Sequence, residues 1–329
     1  MPVDLPLRQA WQTARLLWRV RRFFGRALET PFLAEARAFP GLAYHTIIYL
    51  WMQFTGVDRQ TLLRRRGFEL YALLSEYSLT IDAFIDTTEG KRAVQDRPRL
   101  LKDRPEFRRY VEYMGRWLRC IPMRRETRRA LAATVQRYRY RALQAVQTAV
   151  RLDPLAPLEL IMPVKLDTSG AAFATCVELL NLGYEIPASE ADDLTAMFRA
   201  WGMALQVTDD LADLPLDYAL VHNLAASCLA QHADEHRRVI QAADLPPHGD
   251  LIPRLAPQTY AQIKGLLKAY LAETTAVGRG HPLVADMRAV AYTLFRLATR
   301  RRAGLMFQGY VSHTLQALKS RHQERHVAA

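Results

Sequence analysis

Apolar residues recur along most of the chain with a period near 3.6, the spacing that keeps them on one face of an α-helix. The segments with this pattern are 41–56, 58–86, 106–119, 125–152, 168–183, 189–214, 218–243, 257–276 and 283–320. Proline and glycine cluster in breaks at 98–105, 154–163, 183–187, 246–253 and 278–282. Alternating β-branched runs do not stand out. The pattern predicts a single all-α bundle of about ten helices.

The first 40 residues differ in composition from the rest. Between Arg8 and Leu28, tryptophan, phenylalanine and leucine are mixed with six arginines. This segment can be a basic amphipathic helix on an anionic membrane, or a first helix that docks on its own domain. We favour docking. The chain is divided into a basic amphipathic segment 1–40, an all-helical domain 41–320 that holds the candidate site, and a tail 321–329.

The net charge indicates the kind of partner that the protein binds, and the cysteines indicate the cellular compartment. The net charge is +12 and the isoelectric point is about 9.8, which favours an anionic partner such as nucleic acid, an acidic membrane or a polyphosphate. Cys120, Cys176 and Cys228 are well separated, which predicts neither a disulfide framework nor a zinc cluster. We found neither a membrane-spanning run nor a signal peptide. We expect a cytoplasmic protein that can be peripheral to a membrane.

Two pairs of acidic residues interrupt apolar helical segments. Asp209 and Asp213 lie one turn apart in WGMALQVTDDLADLPLD, with Asp210 beside them, and Asp82 and Asp86 repeat the spacing upstream. Burying an unpaired carboxylate costs several kcal/mol, so such groups need water or a cation. Two acidic helix faces opposite each other in a bundle would suit magnesium, which takes a few carboxylates, water and substrate phosphate.

The downstream motif resembles the second aspartate-rich motif of the class I isoprenoid synthases, G-x-x-F-Q-x-x-D-D-x-x-D. The residues in register are Gly202, Gln206, Asp209, Asp210 and Asp213, with Leu205 in place of the phenylalanine.

The upstream motif resembles the first motif of the same proteins, D-D-x-x-D followed by R-R-G. Asp82, Asp86, Lys91 and Arg92 match, whereas Ala83 replaces the second aspartate and Ala93 the glycine. The remaining D-x-x-x-D is similar to that of squalene and phytoene synthases. Between the two motifs, Lys165 lies in VKLDTSGAAF, which resembles the lysine- and threonine-containing helix of the family.

The resemblance implies a helical bundle around a central apolar cavity and an allylic prenyl diphosphate substrate. It implies about two or three magnesium ions, held by Asp82, Asp86, Asp209, Asp210 and Asp213. The residues implied in diphosphate binding are Lys91, Arg92, Lys165 and Gln206. The apolar cavity would shield the cation formed by ionisation.

The fate of that cation is open, because the sequence departs from elongating synthases. The G-K-R-x-R-P stretch before the first motif and the lysine-bearing segment after the second are missing. We therefore favour a terpene synthase that cyclises or deprotonates the cation. The alternative is a prenyltransferase, either chain-elongating or of the head-to-head squalene and phytoene type. A basic helical binding protein with a degenerate site is the alternative of another class, supported by Ala83. A homodimer is possible.

Three other patterns have simpler interpretations. Asn223, Ser227 and Gln231 have the spacing of a terpene synthase metal motif, N-x-x-x-S-x-x-x-E, but glutamine replaces the acid, and we interpret the match as coincidence. HADEH at 232–236 matches the H-x-x-E-H zinc pattern without a third ligand, and a surface helix is favoured. The arginine- and tyrosine-rich run 124–143 is interpreted as a solvated helix face, with no specific nucleic acid partner.

Overall fold

The computed structural model describes residues 7–24, 41–64, 123–243 and 247–300, and all of their regular structure is helical, as predicted. The helices are α1 (Leu7–Phe24), α2 (Gly41–Thr55), α3 (Arg59–Arg64), α4 (Arg125–Ala149), α5 (Leu158–Lys165), α6 (Ala171–Gly183), α7 (Ala188–Ala212), α8 (Leu214–Asp217), α9 (Leu224–Ala230), α10 (Ala233–Ala242), α11 (Ile252–Leu255), α12 (Pro257–Val277) and α13 (Pro282–Ala298). The helix predicted at 106–119, the parts of the 58–86 and 283–320 helices beyond 64 and 300, and the tail lie outside these ranges.

Helix α7 is the centre of the bundle and carries the downstream aspartates at its carboxyl end. It packs against α6, α12 and α13. Phe198 and Trp201 are almost fully buried, and the indole nitrogen of Trp201 donates to the carbonyl of Met287, 3.0 Å away. Such packing on three sides fixes the position of α7, and with it the backbone that presents the aspartates.

The glycine of the downstream motif has a packing role. A Cβ atom on Gly202 would lie 2.6 Å from Cγ of Phe173, closer than real side chains approach. The ring of Phe173 also meets Trp201 edge-on at 6.2 Å between ring centroids. Gly202 therefore lets α6 approach α7 closely.

The break predicted at 154–163 is wrong in its second half. Helix α5 begins at Leu158, includes Pro163, and continues through a π-helical turn, Leu166–Gly170, into α6. In this turn the amide of Ala171 donates to the carbonyl of Leu166, five residues earlier. Proline removes one helical hydrogen bond, but Ile161 and Val164 are buried on either side of it, and their packing keeps the segment helical.

The single helix predicted over 218–243 is also wrong, because the structure divides it into α9 and α10. Asn223 has an extended backbone and caps α9 by accepting hydrogen bonds from the amides of Ala225 and Ala226. Asparagine is a favoured N-cap residue because its side chain satisfies amides that have no partner within the helix. The apolar periodicity of the sequence continues through Asn223, but the helical backbone is interrupted there.

Helix α1 docks on the domain, as favoured from the sequence. Leu16 and Val20 are fully buried, and α1 packs against α13 and α2. The hydroxyl of Thr13 is 3.0 Å from that of Thr293. Among the residues that the structure describes, no helix is long and apolar enough to cross a membrane.

Candidate functional site

Three carboxylates lie at the carboxyl end of α7 and in the turn that follows it. Asp209 and Asp210 are in the last turn, and Asp213 is the first residue beyond the helix, with its amide donating to the carbonyl of Asp209 at 2.8 Å. Asp209 and Asp213 are partly buried, whereas Asp210 is only 2% exposed. Asp209 and Asp213 therefore lie one helical turn apart and are partly exposed, whereas Asp210 points into the bundle.

Asp210 connects three helices. Its Oδ1 accepts hydrogen bonds from Nζ of Lys165 at 3.0 Å and from Nε2 of Gln206 at 2.5 Å. Its Oδ2 accepts from the backbone amide of Leu224 at 2.7 Å. Both oxygens are thus bound to protein donors on α5, α7 and α9. The geometry favours Asp210 as a residue that positions Lys165 and Gln206, and it does not favour the predicted role as a metal ligand.

Asn223 and Asp217 support the same cluster, and neither was assigned to the site from the sequence. The side-chain amide of Asn223 donates to the carbonyl of Asp210 at 2.6 Å and to Oδ2 of Asp217 at 3.0 Å. Asn223 thus both caps α9 and holds the end of α7. A signal was present in the sequence, because Asp217 extends the four-residue spacing of Asp209 and Asp213.

The cluster concentrates negative charge. Burial, followed by the charges of Asp213 and Asp210, raises the pKa of Asp209 well above its ordinary value, while Lys165 opposes the shift. Asp217 adds to the repulsion. A cation at this place would relieve the repulsion among the carboxylates.

The available oxygen donors fit magnesium better than a metal held by protein ligands alone. Magnesium is usually bound through one or two carboxylates, with water and substrate phosphate completing its octahedron. Asp209 and Asp213 are carboxylates predicted for this role, whereas both oxygens of Asp210 accept hydrogen bonds from protein donors. Within the described ranges, no group of three or more acidic, histidine or cysteine side chains could hold a metal ion. Asp82, Asp86, Lys91 and Arg92, predicted to complete the site, lie outside the described residues.

The zinc alternative at HADEH is not supported by the structure. The Nε2 atom of His236 is 2.5 Å from the hydroxyl of Tyr218, and that of His232 is 3.2 Å from Oε1 of Gln262. Glu235 points elsewhere, since it is 1% exposed and accepts from the amides at the start of α12. The two histidines therefore bond to different elements. The surface-helix interpretation holds for the exposed face of α10 but not for Glu235.

The arginine-rich helix α4 is largely solvated, as interpreted from the sequence. Together with α6, α7 and α12 it forms an open depression of about 330 Å³. The charged residues that line it are Arg137, Arg141, Arg199, Glu178, Asp192 and Glu273. Arg137 is paired with Glu178 at 3.1 Å. The equal numbers of basic and acidic side chains give this depression no preference for an anion.

Comparison with known proteins places this architecture among solved folds. No protein-family model and no curated protein sequence matches the chain. The structure is similar to that of geranylgeranyl pyrophosphate synthetase from Pyrococcus horikoshii Ot3, with a TM-score of 0.57 and 15% identity over 87% of this chain and 98% of that one. It is also similar to geranylgeranyl pyrophosphate synthetase from the archaeon Geoglobus acetivorans, with a TM-score of 0.56 and 12% identity over the same shares. The chain therefore has the all-α fold of the class I isoprenoid synthases, the group that its aspartate motifs resemble.

Proposed function

We propose that this protein is a magnesium-dependent enzyme that ionises an allylic prenyl diphosphate. One observation carries the proposal. The end of α7, in an isoprenoid synthase fold, presents Asp209 and Asp213 next to a lysine that Asp210 holds in place. Carboxylates that can bind magnesium, beside a fixed cation, are suited to a diphosphate.

The proposed roles follow from the contacts within the cluster. Asp209 and Asp213 would hold magnesium on this side of the site, and Asp82 and Asp86 would hold it on the other. Lys165, whose side chain is 14% exposed, is fixed by Asp210 and would donate to a diphosphate oxygen. Lys91 and Arg92 would complete the anion clamp, and Gln206 would orient a ligand or a water.

The departure of diphosphate is the step that these residues assist. When bound, magnesium would neutralise the diphosphate as its C–O bond breaks. A fixed lysine stabilises the same developing charge, and because Asp210 already orients it, little reorganisation is needed during the reaction. The cation left on the hydrocarbon must be kept from water, which would be the role of the apolar cavity that the resemblance implies.

Two fates of the cation are proposed, each on a specific observation. The proteins with similar structures are named as geranylgeranyl pyrophosphate synthetases, which supports coupling to a second isoprenoid unit. The missing co-substrate motifs support cyclisation or deprotonation of a single allylic substrate. We place prenyl transfer first, which reverses the order taken from the sequence.

One set of incubations distinguishes these outcomes. Purified protein with magnesium is supplied with geranyl, farnesyl or geranylgeranyl diphosphate, each with and without isopentenyl diphosphate. A longer diphosphate indicates chain elongation, hydrocarbon formed from an allylic substrate alone indicates a lyase or head-to-head coupling, and the carbon number separates these two. If no substrate releases diphosphate, the binding-protein alternative is favoured.

The metal assignment is tested by the double variant Asp209→Asn with Asp213→Asn. We expect loss of turnover with unchanged helicity by circular dichroism. A matched control removes two exposed acids from the other end of the same helix, Glu190→Gln with Asp192→Asn. Full activity in the first variant, or equal loss in both, would contradict the assignment.

A further inference from the structure

The exposed face of α1 has a composition unlike an ordinary solvated surface. Because α1 buries Leu16 and Val20 against the bundle, its opposite face is presented to solvent. Trp11 is 63% exposed and Trp18 is 59% exposed. They are seven residues apart, so they lie on one face of the helix, two turns from each other.

Three exposed arginines share this face. Arg8, Arg15 and Arg22 are all exposed, and each lies three or four residues from a tryptophan. The three arginines and the two tryptophans form one stripe along α1, which we call the Trp–Arg stripe (Arg8, Trp11, Arg15, Trp18 and Arg22). The helix contains no acidic residue anywhere along its 18 residues. Among the described residues, Asp286 of α13 faces α1. Its carboxylate pairs with Arg19 beside the stripe at 3.8 Å and also interacts with the charge of Arg15.

The tryptophans and arginines contact each other in pairs. The guanidinium of Arg15 lies 5.5 Å from the ring centroid of Trp11, and that of Arg22 lies 5.2 Å from that of Trp18. Each pair is a cation–π contact that keeps the charge next to the ring. A surface made of rings and adjacent cations offers apolar area and positive charge at the same depth, which is the combination that the headgroup region of a membrane accommodates.

We propose that the Trp–Arg stripe binds the surface of a bilayer that contains anionic phospholipid, with α1 lying in the plane of the interface. The domain remains attached through the buried face of α1, so the docked helix is already ordered before it meets the lipid. The charge of the stripe is complementary to anionic headgroups. The proposal concerns location and is separate from the proposed catalysis.

Vesicle sedimentation tests the proposal with the full-length protein. We expect binding to vesicles of phosphatidylcholine mixed with phosphatidylglycerol, weak binding to phosphatidylcholine alone, and release by high salt. Each arginine near an anionic surface strengthens binding by about five-fold, so Arg8→Gln with Arg15→Gln and Arg22→Gln should release most of the protein. Trp11→Ala with Trp18→Ala should weaken binding by roughly ten-fold, because apolar area is no longer buried.

Matched controls come from other exposed positions. Arg125→Gln with Arg129→Gln and Arg151→Gln removes the same charge from elsewhere on the surface, and Tyr140→Ala removes an aromatic ring that is 64% exposed. Both should bind vesicles as the unchanged protein does. If the arginine control loses as much binding as the stripe variant, attraction is due to net charge and the proposal is wrong.

Fluorescence quenching and light scattering test membrane contact by the Trp–Arg stripe in two further ways. Lipids brominated on their acyl chains should quench the tryptophan fluorescence of the protein, and Trp11→Ala with Trp18→Ala should abolish most of that quenching. If the stripe variants instead change the oligomeric state in light scattering while vesicle binding is unaffected, the partner is a second copy of the chain and the proposal is overturned. The Asp209→Asn with Asp213→Asn variant should bind vesicles normally, which separates this proposal from the catalytic one.

Discussion

A carboxylate inside a protein is stable when its oxygens accept enough hydrogen bonds to replace water. Asp210 meets this condition, because a lysine, a glutamine and a backbone amide contact its two oxygens. At its neighbour Asp209, burial together with the adjacent carboxylates raises the pKa of the side chain. Two consecutive aspartates therefore have different environments, and we assign them different roles.

The role of Asp210 can be measured by Asp210→Asn. Removing the charge leaves Lys165 largely buried without this carboxylate, and breaking a buried pair costs about 3–5 kcal/mol of the free energy of unfolding. The double variant with Lys165→Met should lose less than the sum of the two single variants, because the residues act as a pair. Urea unfolding measures the free energy of unfolding of the single and the double variants. The control Asp192→Asn, an exposed acid on α7, should change stability by about 0.5 kcal/mol or less. Additive losses for Asp210 and Lys165 would contradict the assigned coupling.

At the scale of secondary-structure elements, the ends of helices are held by side chains from other helices. Glu235 of α10 accepts hydrogen bonds from the amide of Gln258 and from the amide and hydroxyl of Thr259, at 2.7 to 2.8 Å. These groups lie in the first turn of α12, where backbone amides lack partners within the helix and favour a negative charge. Burial raises the pKa of Glu235, but the hydrogen bonds from α12 outweigh it and hold the pKa below its ordinary value.

This cap predicts a pH-dependent contribution to stability. Because the pKa of Glu235 is lower in the folded state, the stabilisation is fully present above the ordinary carboxyl pKa and is lost as pH falls through the folded value. Glu235→Gln should lower the free energy of unfolding by about 1–3 kcal/mol at neutral pH, and the difference from the unchanged protein should shrink in acid. The matched control is Asp234→Asn, whose side chain is 88% exposed. A pH-independent difference would mean that the ionised carboxylate is not what caps α12.

At the scale of the whole molecule, charge is distributed unevenly. The chain carries a net charge of +12, yet four aspartates, including Asp217, gather at the end of α7. A diphosphate alone would be repelled by this cluster, whereas magnesium bound to the diphosphate would be attracted to the carboxylates, and Lys165 beside them would attract the diphosphate. We therefore expect magnesium and diphosphate to bind at this site together.

Inorganic pyrophosphate provides a test of this requirement that does not depend on substrate chain length. Magnesium with pyrophosphate should raise the thermal midpoint, because a ligand that binds only the folded state stabilises it by about 2.7 kcal/mol at a hundred times its Kd. Either component alone should have a smaller effect. Asp209→Asn with Asp213→Asn should abolish the shift, and Glu190→Gln with Asp192→Asn should retain it. Equal shifts in both variants would contradict a magnesium site at the end of α7.

The local sequence was sufficient to predict the fold class and the one-turn spacing of Asp209 and Asp213 at the end of α7. Helical periodicity depends on neighbours within a few turns, and the alternation of apolar and polar residues records it directly. The same pattern failed where partners distant along the chain decide the backbone. Pro163 looked like a break, but burial of its neighbours in the bundle keeps the segment helical. The continuous apolar periodicity of 218–243 predicted one helix, but Asn223 caps a new helix within that range.

The sequence by itself determined that this protein is an all-α bundle with an acidic motif on one helix, because spacing along a helix is fixed by backbone geometry. Only the tertiary structure decided that Asp210 is hydrogen-bonded to Lys165, Gln206 and Leu224, and that its neighbour Asp209 has a raised pKa. Lys165 and Asp210 are 45 residues apart, and Glu235 and Thr259 are 24 apart. Contacts of this kind arise when helices pack, and no local pattern specifies which side chains will then meet.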